Sequence, residues 1–571
     1  MRGAFLKLIL CSILALSAVA QQAEQPASQL NGTFQISGAV VDAVTGQALS
    51  RARVGISPSA TRDALTTLTT GQDGQFIFPN LVPGKYTLTA YHRGYLTQSF
   101  NQHEGFSSSI AVGPDLESTN LVFRLAPESS ITGTISDEAG EPVRSAQVLL
   151  FQIGTLGGRQ GPRMRRRDNT DEEGTYHFRH LQAGEYLIAV SANAWYAQRP
   201  WPKQRVTGTV YSDNPGGFVY SLHPGGSSSN PASSTYVEEP DNSPLDVAYP
   251  VTFFPGVTEP DAAAPIVLKS GDKAVADVSL QPVPALHIRF PVEKGENGAP
   301  RTNFGQLQSR VFDTSVMAHA ETRYLGADAV ELVGVAPGHY QMESANQGES
   351  KNRTFSYTQM DLASSGDFPM DQKNLSVAVS ATIQFEPGAS GERGTLQLLN
   401  SKSQESFNEQ YSGAGDIEFH RHVLPGVYEL SISGGNGEFL KALSATGATV
   451  NGRTLEIKGG APVKLKLTLA RGQGQVKGVA LREGKPFAGA MIVLAPADSG
   501  HNQVLFRRDQ SDSDGTFTLA SVVPGRYTLL ALENGWNLEW MNPAVLKPYL
   551  AGGEVIQVEQ NGKYEVKVKV Q

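Results

Sequence analysis

The sequence predicts an all-β protein, a tandem array of about five small β-sandwich domains behind an export signal. Three observations point there. Five times a glycine is followed two residues later by a tyrosine that opens an alternating apolar run: Gly84 and Tyr86, Gly184 and Tyr186, Gly338 and Tyr340, Gly426 and Tyr428, Gly525 and Tyr527. Successive tyrosines stand 100, 154, 88 and 99 residues apart, one small sandwich per step with one step enlarged. The 59 glycines and 33 prolines suit many tight turns between short strands.

Residues 1–20 read as the export signal. Arg2 and Lys7 supply early positive charge, Leu8 to Leu16 an apolar stretch, and Ala18, Val19 and Ala20 a small-x-small end, which places cleavage before Gln21. No later segment approaches the roughly 20 apolar residues of a membrane helix, so the mature chain is expected to be exported and not membrane-spanning. Cys11 is the only cysteine and follows Leu10, where a lipoprotein signal wants a small residue. The mature chain therefore folds without disulfides or thiolate chemistry. Its net charge of −8 is mild and its basic residues are scattered, so nucleic acid is not an expected partner.

Unit one shows the pattern of elements. Ile36, Gly38 and Val40 alternate; a turn runs from Asp42 to Gly46; Ala52 and Val54 enter a second strand. Asp73 and Gly74 then form a tight hairpin before Phe76 and Phe78, and Leu81, Pro83 and Gly84 lead into Tyr86, Leu88 and Ala90. Unit two repeats the order from Ile131 to Val190 and unit five from Val476 to Ala531, with hairpin glycines at Gly174 and Gly515. Units three and four are degenerate, keeping the Gly-x-Tyr step and the strand before it. Closing strands are expected near Leu121 to Leu125, Val275 to Leu280, Leu375 to Val379, Val463 to Leu469 and Tyr564 to Val570.

The order Gly-x-Val, Gly-x-Pro, Ala-x-Val, Asp-x-x-Gly-x-Phe-x-Phe, Leu-x-x-Gly-x-Tyr-x-Leu, met with small departures, resembles the carboxypeptidase regulatory-like domain. The resemblance is strong in units one, two and five and only topological in units three and four. It implies a transthyretin-like, seven-strand, immunoglobulin-like sandwich grouped with carbohydrate-binding-like folds. It also implies an accessory module without catalytic residues. The expected domains are 34–126, 128–282, 283–380, 381–470 and 471–571. A Pro-, Gly-, Ser- and Asn-rich stretch of about 197–247 reads as a disordered insertion within the second.

Chemical constellations are sparse. No His-x-x-Glu, His-Glu-x-x-His or Gly-x-Ser-x-Gly occurs, so no catalytic residue, cofactor or metal site is expected. His420 and His422, two apart on a predicted strand, face one side and could share a metal; with no third ligand evident, polar residues alternating outward explain them better. His177 and His180 fall on the equivalent strand of unit two. Asp509, Asp512 and Asp514 resemble the start of a calcium loop but lack the distal acid, and a turn accounts for them. Arg163, Arg165, Arg166 and Arg167 precede Asp168, Asp171, Glu172 and Glu173, and cross-strand charge pairing is expected there, with an anionic polymer contact as the alternative.

The aromatic distribution is the most informative feature. Trp195, Trp201, Trp536 and Trp540 are all the tryptophans of the chain and all follow a Gly-x-Tyr strand. At a sandwich edge such rings stack on sugars, or they pack neighbouring units together. The leading expectation is an exported, non-catalytic protein binding polysaccharide or another envelope polymer through these four rings. The alternatives are a structural spacer or scaffold for an envelope protein, and an exported enzyme with an unrecognised site.

Overall fold

The computed structural model describes residues 32–61, 65–199, 205–206, 236–237, 243–291, 306–325, 329–347, 353–368, 376–388, 393–434 and 437–571. The expected export signal, residues 1–20, and most of the expected 197–247 insertion, with Trp201, lie outside the described residues.

One topology recurs five times. In unit one the first strand, Phe34–Asp42, lies between Gln75–Leu81, antiparallel, and the closing strand Leu121–Leu125, parallel. Facing it, Arg53–Pro58 pairs with Thr66–Thr69 and with the Gly-x-Tyr strand Gly84–Tyr91. The same arrangement centres on Ser129–Ser136 in unit two, Leu286–Pro291 in unit three, Val379–Phe385 in unit four and Gly474–Arg482 in unit five. Each pair of sheets encloses its own apolar core, filled by the inward residue of every second position.

The recurrent glycines have identifiable tasks. A Cβ on Gly38, Gly133 or Gly478 would stand 2.1 to 2.4 Å from a carbonyl oxygen of the parallel closing strand, so these positions let two backbones approach. The hairpin glycines Gly74, Gly174 and Gly515 have φ of 70 to 74°, a conformation that costs a side chain.

Two elements depart from expectation. Unit three closes on Gly366–Asp367, not on a strand near residues 375–379, because Val379 already opens the first strand of unit four. The hairpin Gly338–Gln347 and Arg353–Leu362 also crosses a unit boundary. Its Tyr357 is buried in the core of unit four, and Phe355 exchanges backbone hydrogen bonds with His420 and His422.

The units close on themselves and are not strung out. Phe312 of unit three packs between Phe151 and Phe253 of unit two, at 4.9 and 5.5 Å between ring centres. Units four and five meet where Arg453 N–H donates to the His501 carbonyl at 2.9 Å and Val504 N–H to Glu429 at 2.7 Å. Unit five then docks on unit one. Unit two also holds, before its Gly-x-Tyr strand, a long hairpin, Gln147–Leu156 and Arg159–Asn169, whose tip reaches units four and five: Arg159 bonds Gln404 and Gln503, and Thr155 donates to the Asn537 carbonyl at 3.1 Å.

Candidate functional site

The tryptophans do not form one exposed set. Trp195 is 70 % exposed and stands edge-on to Tyr196, with ring centres 5.9 Å apart. Tyr196 and Tyr249 both donate to Glu138, the latter at 3.0 Å. Burial alone would raise that carboxyl; the hydrogen bonds, led by Tyr196, carry it below its ordinary value.

Trp536 and Trp540 are 9 % and 4 % exposed, so the expected exposure of these two rings is corrected. A local cluster with Met491, Val493 and Leu530 buries them on the outer face of the unit-five sheet, and other units complete the cover. Trp536 stacks on His103 of unit one, 4.7 Å apart and within 6° of parallel. Trp540 lies beneath the Arg508 guanidinium at 4.3 Å and against Gly158 at the tip of the unit-two hairpin, where an added Cβ would stand 2.5 Å from the indole. Arg508 also covers Phe106 at 4.9 Å and pairs with Glu104 at 2.7 Å, so one cation joins two rings and a carboxylate across the seam.

The rest of this seam is a dense polar clasp that no sequence pattern announced. Asp512, Ser513 and Asp514, in the hairpin turn of unit five, meet unit one directly. Asp512 accepts from Ser109 N–H at 2.7 Å and from Lys85, which also lies 3.6 Å from Asp514. Ser513 N–H donates to the Ser109 carbonyl at 2.9 Å, and Ala111 N–H donates to the Ser513 hydroxyl at 2.8 Å. Ser108 donates to the Ser511 carbonyl, and Gln510 to Asn101 and Ser108. Asp509 turns inward to accept from Thr518 N–H at 2.7 Å, and burial lifts its carboxyl above the ordinary range. Asp512 and Asp514 are thus a turn and an interface, whereas Asp509 is a strand residue bonded within its own unit. The acid cluster was visible in the sequence, whereas its partner Lys85 lies over 400 residues away.

The histidines fall apart in the same way. His420 pairs with Glu409 at 2.7 Å, while burial lowers His422. His180 pairs with Glu128. Among the described residues no group of three or more His, Cys, Asp or Glu side chains gathers around a point. The basic run lies on the outer strand of the long hairpin, where Arg163, Arg166 and Arg167 stand opposite Gln152, Leu150 and Leu149, so the expected pairing with acids across the strands is corrected. Arg165 instead donates to Gln152 at 2.9 Å.

The repeated topology accords with one family. Residues 35–125 and 130–210 match the carboxypeptidase regulatory-like domain. The first two units are domains of that family. No curated protein matches the chain. Similar solved structures include the Bacillus anthracis TIE protein, at 10 % identity and TM-score 0.16 over 94 % of this chain and 74 % of that one. They also include a minor pilin of Streptococcus agalactiae, at 11 % identity and TM-score 0.20 over 44 % of this chain and 97 % of that one. The full-length major pilin RrgB of Streptococcus pneumoniae matches at 10 % and 0.14, over 94 % and 93 %. Such scores are too low to bear on function. Among the described residues no helix is long and apolar enough to cross a membrane.

Proposed function

We propose that the protein is an exported, non-catalytic scaffold that presents one closed body of β-sandwiches at the cell envelope and binds an envelope protein. The observation that carries this reading is the burial of Trp536 and Trp540 in a seam between units one, two and five. Rings used to hold a closed body together are not free to stack on a polymer, and repeated weak platforms that would act by avidity are lost with them. A spacer would keep its units apart, whereas here residues from opposite ends of the chain are hydrogen-bonded.

A second reading, polysaccharide binding, is favoured by Trp195, whose face stays open. Retention of the mature chain on isolated cell envelope separates the two. The scaffold reading expects retention that protease treatment of the envelope removes, that glycosidase treatment spares, and that Trp195→Ala leaves unchanged. The reverse pattern would support the carbohydrate reading, and no retention would overturn both.

A further inference from the structure

Between units four and five lies a cleft of about 480 Å³. One wall is residues 439–443 of the strand Glu438–Thr446; the other is Asn502, Leu505, Val523, Pro524, Glu559 and Gln560 of unit five, with Arg453 between them. Successive side chains of a strand point to opposite faces. Five consecutive residues can border one cleft only if it runs along the edge of the strand. Glu438–Thr446 is an edge strand, the last of its four-stranded sheet and, among the described residues, paired only with Val463–Arg471. Its pairing also skips Lys441, where a bulge lies between Leu440 and Ala442. The cleft therefore follows this sheet edge, which is buried at Phe439 and Leu440, where Phe439 packs on Val523, and exposed at Lys441 and Ala442, opposite a wall of mixed apolar and polar side chains.

Arg453 supplies the charge. It is 8 % exposed, its Nη2 donates to the Leu440 carbonyl at 2.7 Å, and no described carboxylate forms an ion pair with it. Burial lowers its pKa to about 10, with Glu429 acting only from a distance. Glu429 is itself engaged by Val504 N–H and by Arg159 at 3.8 Å. A guanidinium carries five donors, so the one bond to Leu440 leaves this buried cation most of its hydrogen-bonding capacity.

We infer that this cleft binds an extended peptide segment, which adds as a strand along residues 441–443 and places a carboxylate on Arg453. Main-chain pairing would supply affinity along about 10 Å of edge and the carboxylate would fix direction and register. The inference gives the scaffold reading its partner chemistry. It is tested on a surface that envelope retention does not probe, so either can fail alone.

The test is fluorescence anisotropy of the mature chain with a fluorescein-labelled Val-Thr-Val-Thr-Val peptide ending in a free carboxylate. Its C-terminal amide and a twin N-methylated at alternate amides serve as comparisons. The free acid is expected to saturate, the amide to bind about tenfold or more weakly, and the N-methylated twin not to saturate. Arg453→Gln, which keeps a donor for Leu440, should bring the acid to the level of the amide and leave the amide unchanged; Arg453→Lys should restore part of the difference. Equal binding of acid and amide, tight binding of the N-methylated twin, indifference to Arg453→Gln in a variant with an unchanged circular dichroism spectrum, or no saturation at millimolar peptide would each overturn the proposal. So would Arg453-dependent binding of trigalacturonate where the peptide acid does not bind, which would assign the cleft to an anionic saccharide.

Discussion

Each repeated tyrosine anchors its own turn. The hydroxyls of Tyr86, Tyr186, Tyr340, Tyr428 and Tyr527 all donate to the carbonyl four residues earlier, at 2.7 to 2.9 Å, and four of the five rings are buried in their sandwich cores. Burial pushes the Tyr527 hydroxyl up to about 12, so it stays a donor throughout the physiological range. Tyr527→Phe should cost unit five about 1 kcal/mol, the worth of one hydrogen bond, and Tyr527→Ala about 3–5 kcal/mol. Both are read from denaturant unfolding followed by the fluorescence of Trp536 and Trp540. A second prediction concerns His287, which reaches Asp246 of unit two at 2.5 Å and Glu331 at 3.7 Å. The nearby Glu331 carboxylate, opposed by burial, leads the causes that raise its pKa, and Asp246, to which it is hydrogen-bonded, adds to the rise. The resulting stabilisation is full below about pH 6.5 and is lost as pH climbs through the raised value. Glu331 is lowered, so its own contribution is present above about pH 4.5 and is lost as pH falls. The melting difference between the wild type and His287→Gln should therefore be larger at pH 5.5 than at pH 9. Tyrosine and glycine roles were legible because they are local. A buried interface ring and an exposed platform look alike in a loop, so Trp195 and Trp536 could not be told apart until the fold brought His103 to one of them.

Alternation of apolar residues reports which face of a strand is inside, and that was enough to place the strands of units one, two and five. It does not report where one sandwich ends. Val379 alternates as well for a closing strand as for an opening one, and only its parallel pairing with Val463 settles which it is. Nor could periodicity show that the hairpin of unit two reaches other units, since its tip, Thr155 to Arg159, is short and partly polar. At that tip Gly158 has φ of 80° and packs on Trp540. Gly158→Val should then be penalised twice, by backbone strain and by overlap with the indole, together on the order of 2–4 kcal/mol. Hydrogen exchange should show the segment around Trp540 opening faster, with the core of unit one unchanged. Gly140, equally left-handed with open space where its Cβ would lie, is the control and should lose only the backbone part.

Five sandwiches joined end to end would make a rod; joined also first to last they make one body. A rod of five such units would have a radius of gyration of about 50 Å, and a single compact body of this length about 25–30 Å. Small-angle scattering of the mature chain should fall in the lower range. The clasp between units one and five is where the account stands or falls, because it completes the burial of Trp536 and Trp540 and removes the open array. Cys11 is the only cysteine of the sequence, so in a chain of residues 21–571 Ser109→Cys with Ser513→Cys would introduce the only two thiols, on residues whose backbones are hydrogen-bonded at 2.9 Å. Treatment of this double variant with a short bismaleimide at low protein concentration should yield a crosslink within one chain, at a yield independent of dilution and absent from either single variant. Failure to form that product, or crosslinks only between chains, would contradict the closed body.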